Sequence, residues 1–411
     1  MLKHWQVERV QVVVIHVKNG QEIQVEVLLV IVKDIQVNAK IDVKQHKDCV
    51  NKITQSFLHT INMLHVKKFL IFSPFILIIF ILSCQDNNKY IKEFPSTINL
   101  SPKYISINEI IKIDNIYKYK DYIVLRDANV NADFFYYVYS LKDFSFLYKF
   151  CPQGNAPEEY LMPSIIKNTP NNEFSLRDHA TDKYATFLLT DTNSVLIDKF
   201  TFSTNDNRFF WEINYIDKNK YLLKRSNSKI SSRELWDFSS KIQLDVIKNT
   251  FDLSKEMGKD YYTEFDDYWI SSYQNKVAFG YFFIDRIEIG TIRNNKINIE
   301  KYIGTEKHPN FYTFKKGRGK FKYNVDNNIV YYEYIVCTEN NIYALYSGIP
   351  WGDLDKNHSS IIEIYNWQGE PVKKLNLEQS ISAFAVNEKQ GIIYGINPDI
   401  NEDNILLYTY L

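Results

Sequence analysis

Six segments of this chain repeat one pattern, a polar or glycine turn followed by alternating apolar residues. They are DYIVLRD from Asp121, DKYATFLLT from Asp182, NKYLLKRSN from Asn219, NKVAFGYFF from Asn275, NNIYALYSG from Asn340 and QGIIYGINP from Gln390. Short apolar runs punctuated in this way predict strands. Their starts lie about 54 residues apart on average, close to the roughly 40–50 residues that a four-stranded propeller blade occupies. Second strand candidates follow several of them: YYVYSLKDFSFLYKF, SVLIDKFTF, IEIGTIRNNKINIEKYIG and IIEIYNWQGEPVKKLNL, the last turning at Gln368-Gly369. A β-sandwich, the rival architecture, leaves six similar segments unexplained, whereas a closed ring also removes exposed sheet edges. The expectation is an all-β fold, a six-bladed β-propeller over residues 96–411, with STINLSP supplying a strand to the last blade and locking the ring. SKISSRELWDFSSKI has a helical look but a poor period.

Upstream of the repeats, Lys67 and Lys68 precede an apolar run from Phe69 to Leu82 that ends at Ser83-Cys84. About fourteen residues fall short of the roughly twenty that span a bilayer. A basic start, a short apolar run and a small residue before the cut describe a secretion signal. Ile81-Leu82-Ser83-Cys84 resembles the lipobox of bacterial lipoproteins. That resemblance implies cleavage before Cys84 and a lipidated cysteine, followed by the polar Gln85-Asp86-Asn87-Asn88 tether. Acyl chains would then hold a domain at a membrane surface without a span. The expected division is a signal peptide over 63–83, a lipidated cysteine and tether over 84–95, and the propeller thereafter. Residues 1–62 contain no Tyr and no Pro, although the chain has 30 tyrosines. They alternate Val, Gln and Lys, and they stand on the far side of the cleavage site from the repeats. Residues 1–62 read as an upstream extension of the reading frame; a cytoplasmic β-rich segment with an internal anchor is the alternative.

Net charge is zero over the chain, and residues 1–84 hold 10 basic and 6 acidic groups, so the remainder is slightly acidic. The charges are interspersed, which offers nothing for nucleic acid to follow. Beyond Cys49 and Cys84 only Cys151 and Cys337 remain. An exported chain can bridge two cysteines, but LYKFC and YIVCTEN read as strands with small buried thiols. The sequence lacks CxxC, HExxH and paired-histidine motifs, so it offers no zinc site.

From Tyr331 to Leu411 the chain carries YEYIVCTENNIYALYSG, IIEIYNWQGEPVKKLNL, ISAFAVNEKQGIIYGINP and a closing YTYL. These segments resemble the TolB-like six-bladed β-propeller lipoproteins of Bacteroidota, which show a similar IYALYSG strand, a W-x-G-x-P hairpin and a final IYG strand. FCPQGNAPEEYLMP is similar to that family's G-x-G-P-G-E-[FY] loop: Gly154, Pro157, Glu159 and Tyr160 match, while Ala156 and Glu158 replace two glycines. With the lipobox the resemblance covers residues 63–411 and none of 1–62. It implies an exported, lipid-anchored propeller with no established catalytic residues.

Function has to be sought in particular side chains, because a fold hosts many functions. A G-x-S-x-G elbow is missing. Past Cys84 the histidines are His179, His308 and His358; His179 sits in the polar turn LRDHATDK and His308 in a loop before Pro309. Asp353, Asp355 and Asn357 match the opening D-x-D-x-N of an EF-hand loop. His358, however, takes the place of its glycine, and Ile364 that of its glutamate. Asn397, Asp399, Asn401 and Asp403 alternate in NPDINEDN, as turns often do for backbone reasons. No cofactor is expected, and calcium on these acidic loops is the one candidate. Trp351 stands between Pro350 and Gly352 in the long loop IPWGDLDKNHSS, placed to stack on a sugar or anchor a partner beside Asp353 unless it packs on a neighbouring blade. Arg126 with Asp127, and Arg225, close two of the repeated strands; they either face the channel or form ordinary ion pairs. These features point to a lipid-anchored, non-enzymatic propeller at the outer membrane, facing periplasm or surface, that binds a protein, peptide or glycan. The alternative is a metal-dependent propeller hydrolase or lactonase using the acidic loops.

Overall fold

The computed structural model describes residues 24–26, 40–42, 92–170, 172–202, 209–226, 231–248, 267–305, 314–317, 320–323, 328–354, 359–397 and 405–411. Residues 63–83, expected to be a signal peptide, and Cys84 lie outside these residues. Two units are distinguished, Met1–Asn88 and Lys89–Leu411. In the first, β1 (Gln24–Glu26) and β2 (Lys40–Asp42) pair antiparallel. No helix among the described residues is long and apolar enough to cross a membrane.

The second unit is a ring of six antiparallel blades. It is entered through β3 (Thr97–Leu100) and β4 (Lys103–Ile105). Blade 1 contains β5 (Ile113–Lys118), β6 (Tyr122–Asp127), β7 (Phe134–Ser140) and β8 (Phe146–Pro152). Blade 2 contains β9 (Pro163–Lys167), β10 (Glu173–Asp178), β11 (Lys183–Leu189) and β12 (Ser194–Thr201). Blade 3 contains β13 (Phe209–Asp217), β14 (Lys220–Ser226), β15 (Ser231–Asp237) and β16 (Ile242–Lys248). Blade 4 contains β17 (Tyr268–Tyr273), β18 (Lys276–Tyr281), β19 (Arg286–Arg293) and β20 (Lys296–Gly304). A hairpin of β21 (Phe314–Gly317) and β22 (Lys320–Tyr323) follows. Blade 5 contains β23 (Ile329–Cys337), β24 (Asn341–Pro350), β25 (Ile361–Asn366) and β26 (Pro371–Leu377). Blade 6 contains β27 (Ala383–Asn387), β28 (Ile392–Ile396) and β29 (Ile405–Thr409).

The first strands lie innermost and neighbour one another, β9 pairing parallel with β13 and β27 lying against β5. Six hydrophobic clusters hold the ring, one between each pair of neighbouring blades. Val124, Phe150 and Tyr160 meet Phe174 and Phe187 between blades 1 and 2. Tyr184 and Phe202 meet Leu223 and Phe238 between 2 and 3, and Leu235 meets Ile270 and Phe279 between 3 and 4. Ala278 and Ile289 meet Ile335 and Tyr365 between 4 and 5. Leu345 and Leu375 meet Phe384 and Leu406 between 5 and 6, and Ile396 meets Ile123 and Tyr137 between 6 and 1.

This stacking explains the repeats. Successive side chains of a strand point to opposite faces, and each blade is covered on both. In β24, Ile342 and Ala344 face blade 4 while Tyr343 and Leu345 face blade 6. Second strands therefore read as continuous apolar runs, and five of the six segments are indeed second strands. The exception is DKYATFLLT, the third strand of blade 2. The second strand there is EFSLRD, whose Ser175 and Arg177 break the apolar run, so the third strand reads more like its counterparts.

STINLSP does not supply the strand that locks the ring. Thr97–Leu100 pairs parallel with β26 as a fifth strand of blade 5, because Ile98 and Leu100 pack into the cluster between blades 5 and 6. The chain then turns at Ser101-Pro102, and β4 pairs antiparallel with β29 as the outer strand of blade 6. SKISSRELWDFSSKI contributes β15, a strand. Cys151 and Cys337 are both free and buried, one on the outer strand of blade 1 and one on the inner strand of blade 5. Burial pushes the Cys337 thiol up to about 12.

Candidate functional site

Up-and-down order sends two kinds of connection to one face of the ring: those joining second to third strands, and those joining one blade to the next. Arg126, His179, Phe282, Asp285, Trp351 and Asp353 all belong to this loop face.

Trp351 opens α1 (Trp351–Leu354), a single turn between β24 and β25. Its ring lies 5.2 Å from that of Phe282 and 5.7 Å from that of Phe283, both on the corresponding loop of blade 4. Its backbone N–H donates to the Asn328 carbonyl at 2.8 Å. The indole nevertheless remains 40 % exposed. Trp351 thus packs on the neighbouring blade and remains partly exposed. Asp353 lies in the same turn and is exposed. Asp355 and Asn357, the other two candidate calcium ligands, lie outside the described residues. Among the described residues no three His, Cys, Asp or Glu converge as a metal-ligand set.

Arg126 and Arg225 occupy different environments. Arg126 is the penultimate residue of β6, partly exposed, and reaches Asp114 at 3.5 Å. Burial pushes the Asp114 carboxyl up, and Arg126 only partly offsets this. Arg225 is 1 % exposed, inside blade 3, and donates to Glu234 at 3.1 Å. Ser232 and Trp236 donate to the same carboxylate, so Glu234 is held below its ordinary range although burial pushes it up.

His179 lies 2.6 Å, through Nε2, from Ser164 Oγ. A serine beside a histidine invites a nucleophilic reading, but the donors around the ring oppose it. The Arg177 guanidinium lies 3.3 Å from Nδ1 and can only donate, so Nδ1 is the unprotonated nitrogen. Nε2 then carries the proton and points it at Ser164, the reverse of what a general base needs. Burial first, then Arg177, pull the imidazole down to about 4. His179 is thus a neutral structural donor at neutral pH.

The loop containing Gly154 closes tightly despite Ala156 and Glu158. The Glu159 carboxylate accepts the Ala156 N–H at 2.8 Å, and Gly154 N–H donates to the Tyr160 carbonyl at 3.0 Å. Gly154 adopts φ +152, and a Cβ there would run into the Glu159 carboxylate. Lys183 lies over the Tyr160 ring and donates to the Glu159 carbonyl at 2.8 Å. A side-chain cap replaces the freedom that two further glycines would provide.

Inside the ring, Lys167 donates to Glu212 at 3.1 Å and lies over the rings of Trp269 and Tyr334. A second charged cluster, between blades 4 and 5, joins Lys92 to Asp285, Tyr332 and Glu363. Sequence reading missed it because its members are 193 and 240 residues apart along the chain.

No curated protein matches the sequence. Among solved structures the chain is similar to a protein of Bacteroides fragilis NCTC 9343 described as exported. Identity is 13 %, with 76 % of this chain and 98 % of that one covered at a TM-score of 0.50. The WD40 repeats of RRP9 align with 6 % identity over 77 % of this chain and 99 % of theirs, with a TM-score of 0.42. The luciferin-regenerating enzyme aligns with 9 % identity over 75 % and 96 %, with a TM-score of 0.44. Residues 111–389 match the TolB-like 6-blade propeller-like family. Six blades in a closed ring agree with that match, and the chain belongs to this family.

Proposed function

We propose that this chain is a binding propeller of the bacterial cell envelope, anchored through a lipidated Cys84, which engages a protein, peptide or glycan on its loop face. The observation that carries the reading is Trp351, a half-exposed indole seated on Phe282 and Phe283. Aromatic side chains fixed on a rigid scaffold supply contact area at little entropic cost, whether to a sugar face or to an apolar side chain. Asp353 in the same turn adds an acceptor, and partly exposed Arg126 offers a donor across the face. The lipid anchor rests on the order of Lys67, Lys68, the apolar run, Ser83 and Cys84.

The test screens membrane-extracted protein against a glycan array and a displayed peptide library, then compares each retained probe with the Trp351→Ala protein. Retention should weaken by about tenfold or more in the variant, equivalent to roughly 1.4 kcal/mol. A probe held equally well by Trp351→Ala removes the loop face from the proposal. Intact mass of the same extract should show a chain beginning at an acylated Cys84, absent from Cys84→Ala; a mature chain retaining residues before Cys84 refutes the anchor.

A further inference from the structure

Lys92 lies ahead of every blade strand, yet its ammonium is received by groups from two blades. Asp285, on the loop between β18 and β19, pairs with it directly, and Tyr332 Oη of β23 accepts from it at 2.8 Å. Glu363 of β25 lies 3.5 Å away. The ammonium also sits over the Tyr346 ring, 4.6 Å from its centroid, while Tyr332 meets it through the hydroxyl edge. The rings are themselves braced, 5.8 Å apart in an edge arrangement. Tyr365 donates to Glu363 at 2.7 Å and fixes the carboxylate.

These receiving groups all belong to the propeller, whereas the cation arrives on a strap. Residues Lys92–Ser96 hold on through Lys92, through Phe94 against Tyr365, and through the Ser96 carbonyl accepting the Lys374 N–H at 2.9 Å. Glu363 is 3 % exposed, and a buried carboxylate is costly unless a cation answers it. Two carboxylates, the Tyr332 hydroxyl and the Tyr346 face suit a primary ammonium by charge, hydrogen bonding and cation–π attraction. The Asp285 side chain is 31 % exposed, so the ion pair reaches solvent at that edge.

We propose that the crevice between blades 4 and 5 is a receptor for primary alkylammonium groups, lysine side chains of a partner included, and that Lys92 occupies it in cis. An incoming ammonium of higher local concentration displaces Lys92 and frees the strap. This site shares the loop between β18 and β19 with the Trp351 platform but is lined by different side chains.

The probe is n-butylammonium, the size of a lysine side-chain end, with tetramethylammonium at equal ionic strength as control. Lys92→Ala full-length protein should show a saturable rise in melting temperature with n-butylammonium and none with the control. Adding Glu363→Gln should weaken that response by about tenfold or more. A folded Lys92→Ala protein with no saturable rise, or a rise that survives Glu363→Gln, overturns the proposal. Unmodified protein provides the second measurement: n-butylammonium should speed hydrogen exchange of the backbone amides at 92–96 beyond the control. Equal exchange with both ions overturns it as well.

Discussion

Glu333 and Glu288 show how opposite surroundings tune one residue type. Glu333 lies on β23 with 8 % exposure, and among the described residues its Oε1 has no hydrogen-bond partner. Burial pushes its carboxyl up to about 7, against weaker opposition from Ser347 and the Ser359 backbone. Burial raises Glu288 too, but Arg233 at 2.5 Å and Arg286 at 2.7 Å outweigh it and hold the carboxyl below its ordinary range. The consequences for stability have opposite signs. A raised carboxyl binds its proton more tightly when folded, so Glu333 costs stability as pH rises from about 4.5 to about 7. The full cost is about 3 kcal/mol. Glu333→Gln should therefore melt higher than the unmodified protein at pH 8 and nearly level with it at pH 4.5; equal melting at pH 8 would refute the assignment. Glu288, held low, loses its contribution only below about pH 4.5, so acid should open the contact between blades 3 and 4. Neither carboxyl could be singled out beforehand: both belong to ordinary strands, and although Arg286 is a neighbour of Glu288 on β19, Arg233 comes from the neighbouring blade.

At the scale of elements, glycine and cap chemistry decide where loops can close. Gly304 ends β20 at φ +92, and a Cβ there would meet the backbone carbonyl of Asp285, which cannot swing aside. Thr305 N–H also donates to that carbonyl at 2.8 Å. Gly304→Ala should cost about 1–3 kcal/mol, read as a lower melting temperature. It should also loosen Lys92, because Asp285 is its partner; an unchanged melt would refute the close approach. Second strands were legible because each is buried on two faces and so reads as an unbroken apolar run. The same rule hid β10, where Ser175 and Arg177 interrupt one face. Trp351 was legible as a loop aromatic, but its support was not: Phe282 and Phe283 read simply as the end of NKVAFGYFF.

On the scale of the whole molecule, closure depends on a short N-terminal stretch. β3 covers the outer strand of blade 5, and β4 completes blade 6 beside β29. Without residues 92–105, Leu375 and Leu406 lose cover and two sheet edges are left bare. Such a variant should lose about 3 kcal/mol or more, which for a unit of this size is a fall of about 4–5 °C or more in melting temperature. Calorimetry of the deletion checks this, and an unchanged transition would show that the ring closes without the strap. The number of blades was readable beforehand because periodic burial imprints itself on local composition. Which strand closes the ring was not, since TINL and KYI are both too short for their sequences to mark the strand each will meet.

Local patterning by itself determined that the chain is all-β, that it repeats six times, and that an apolar run ending at Cys84 precedes the repeats. Alternation, turn residues and hydrophobic length act over a few residues and need no knowledge of what lies opposite. Tertiary structure alone decided which charges meet. Lys92 with Asp285 and Glu363, Arg233 with Glu288, and the stranded carboxyl of Glu333 follow from distant strands brought side by side by the stacking of blades. Coulombic and desolvation energies depend on distance in space, and separation along the chain says nothing of it.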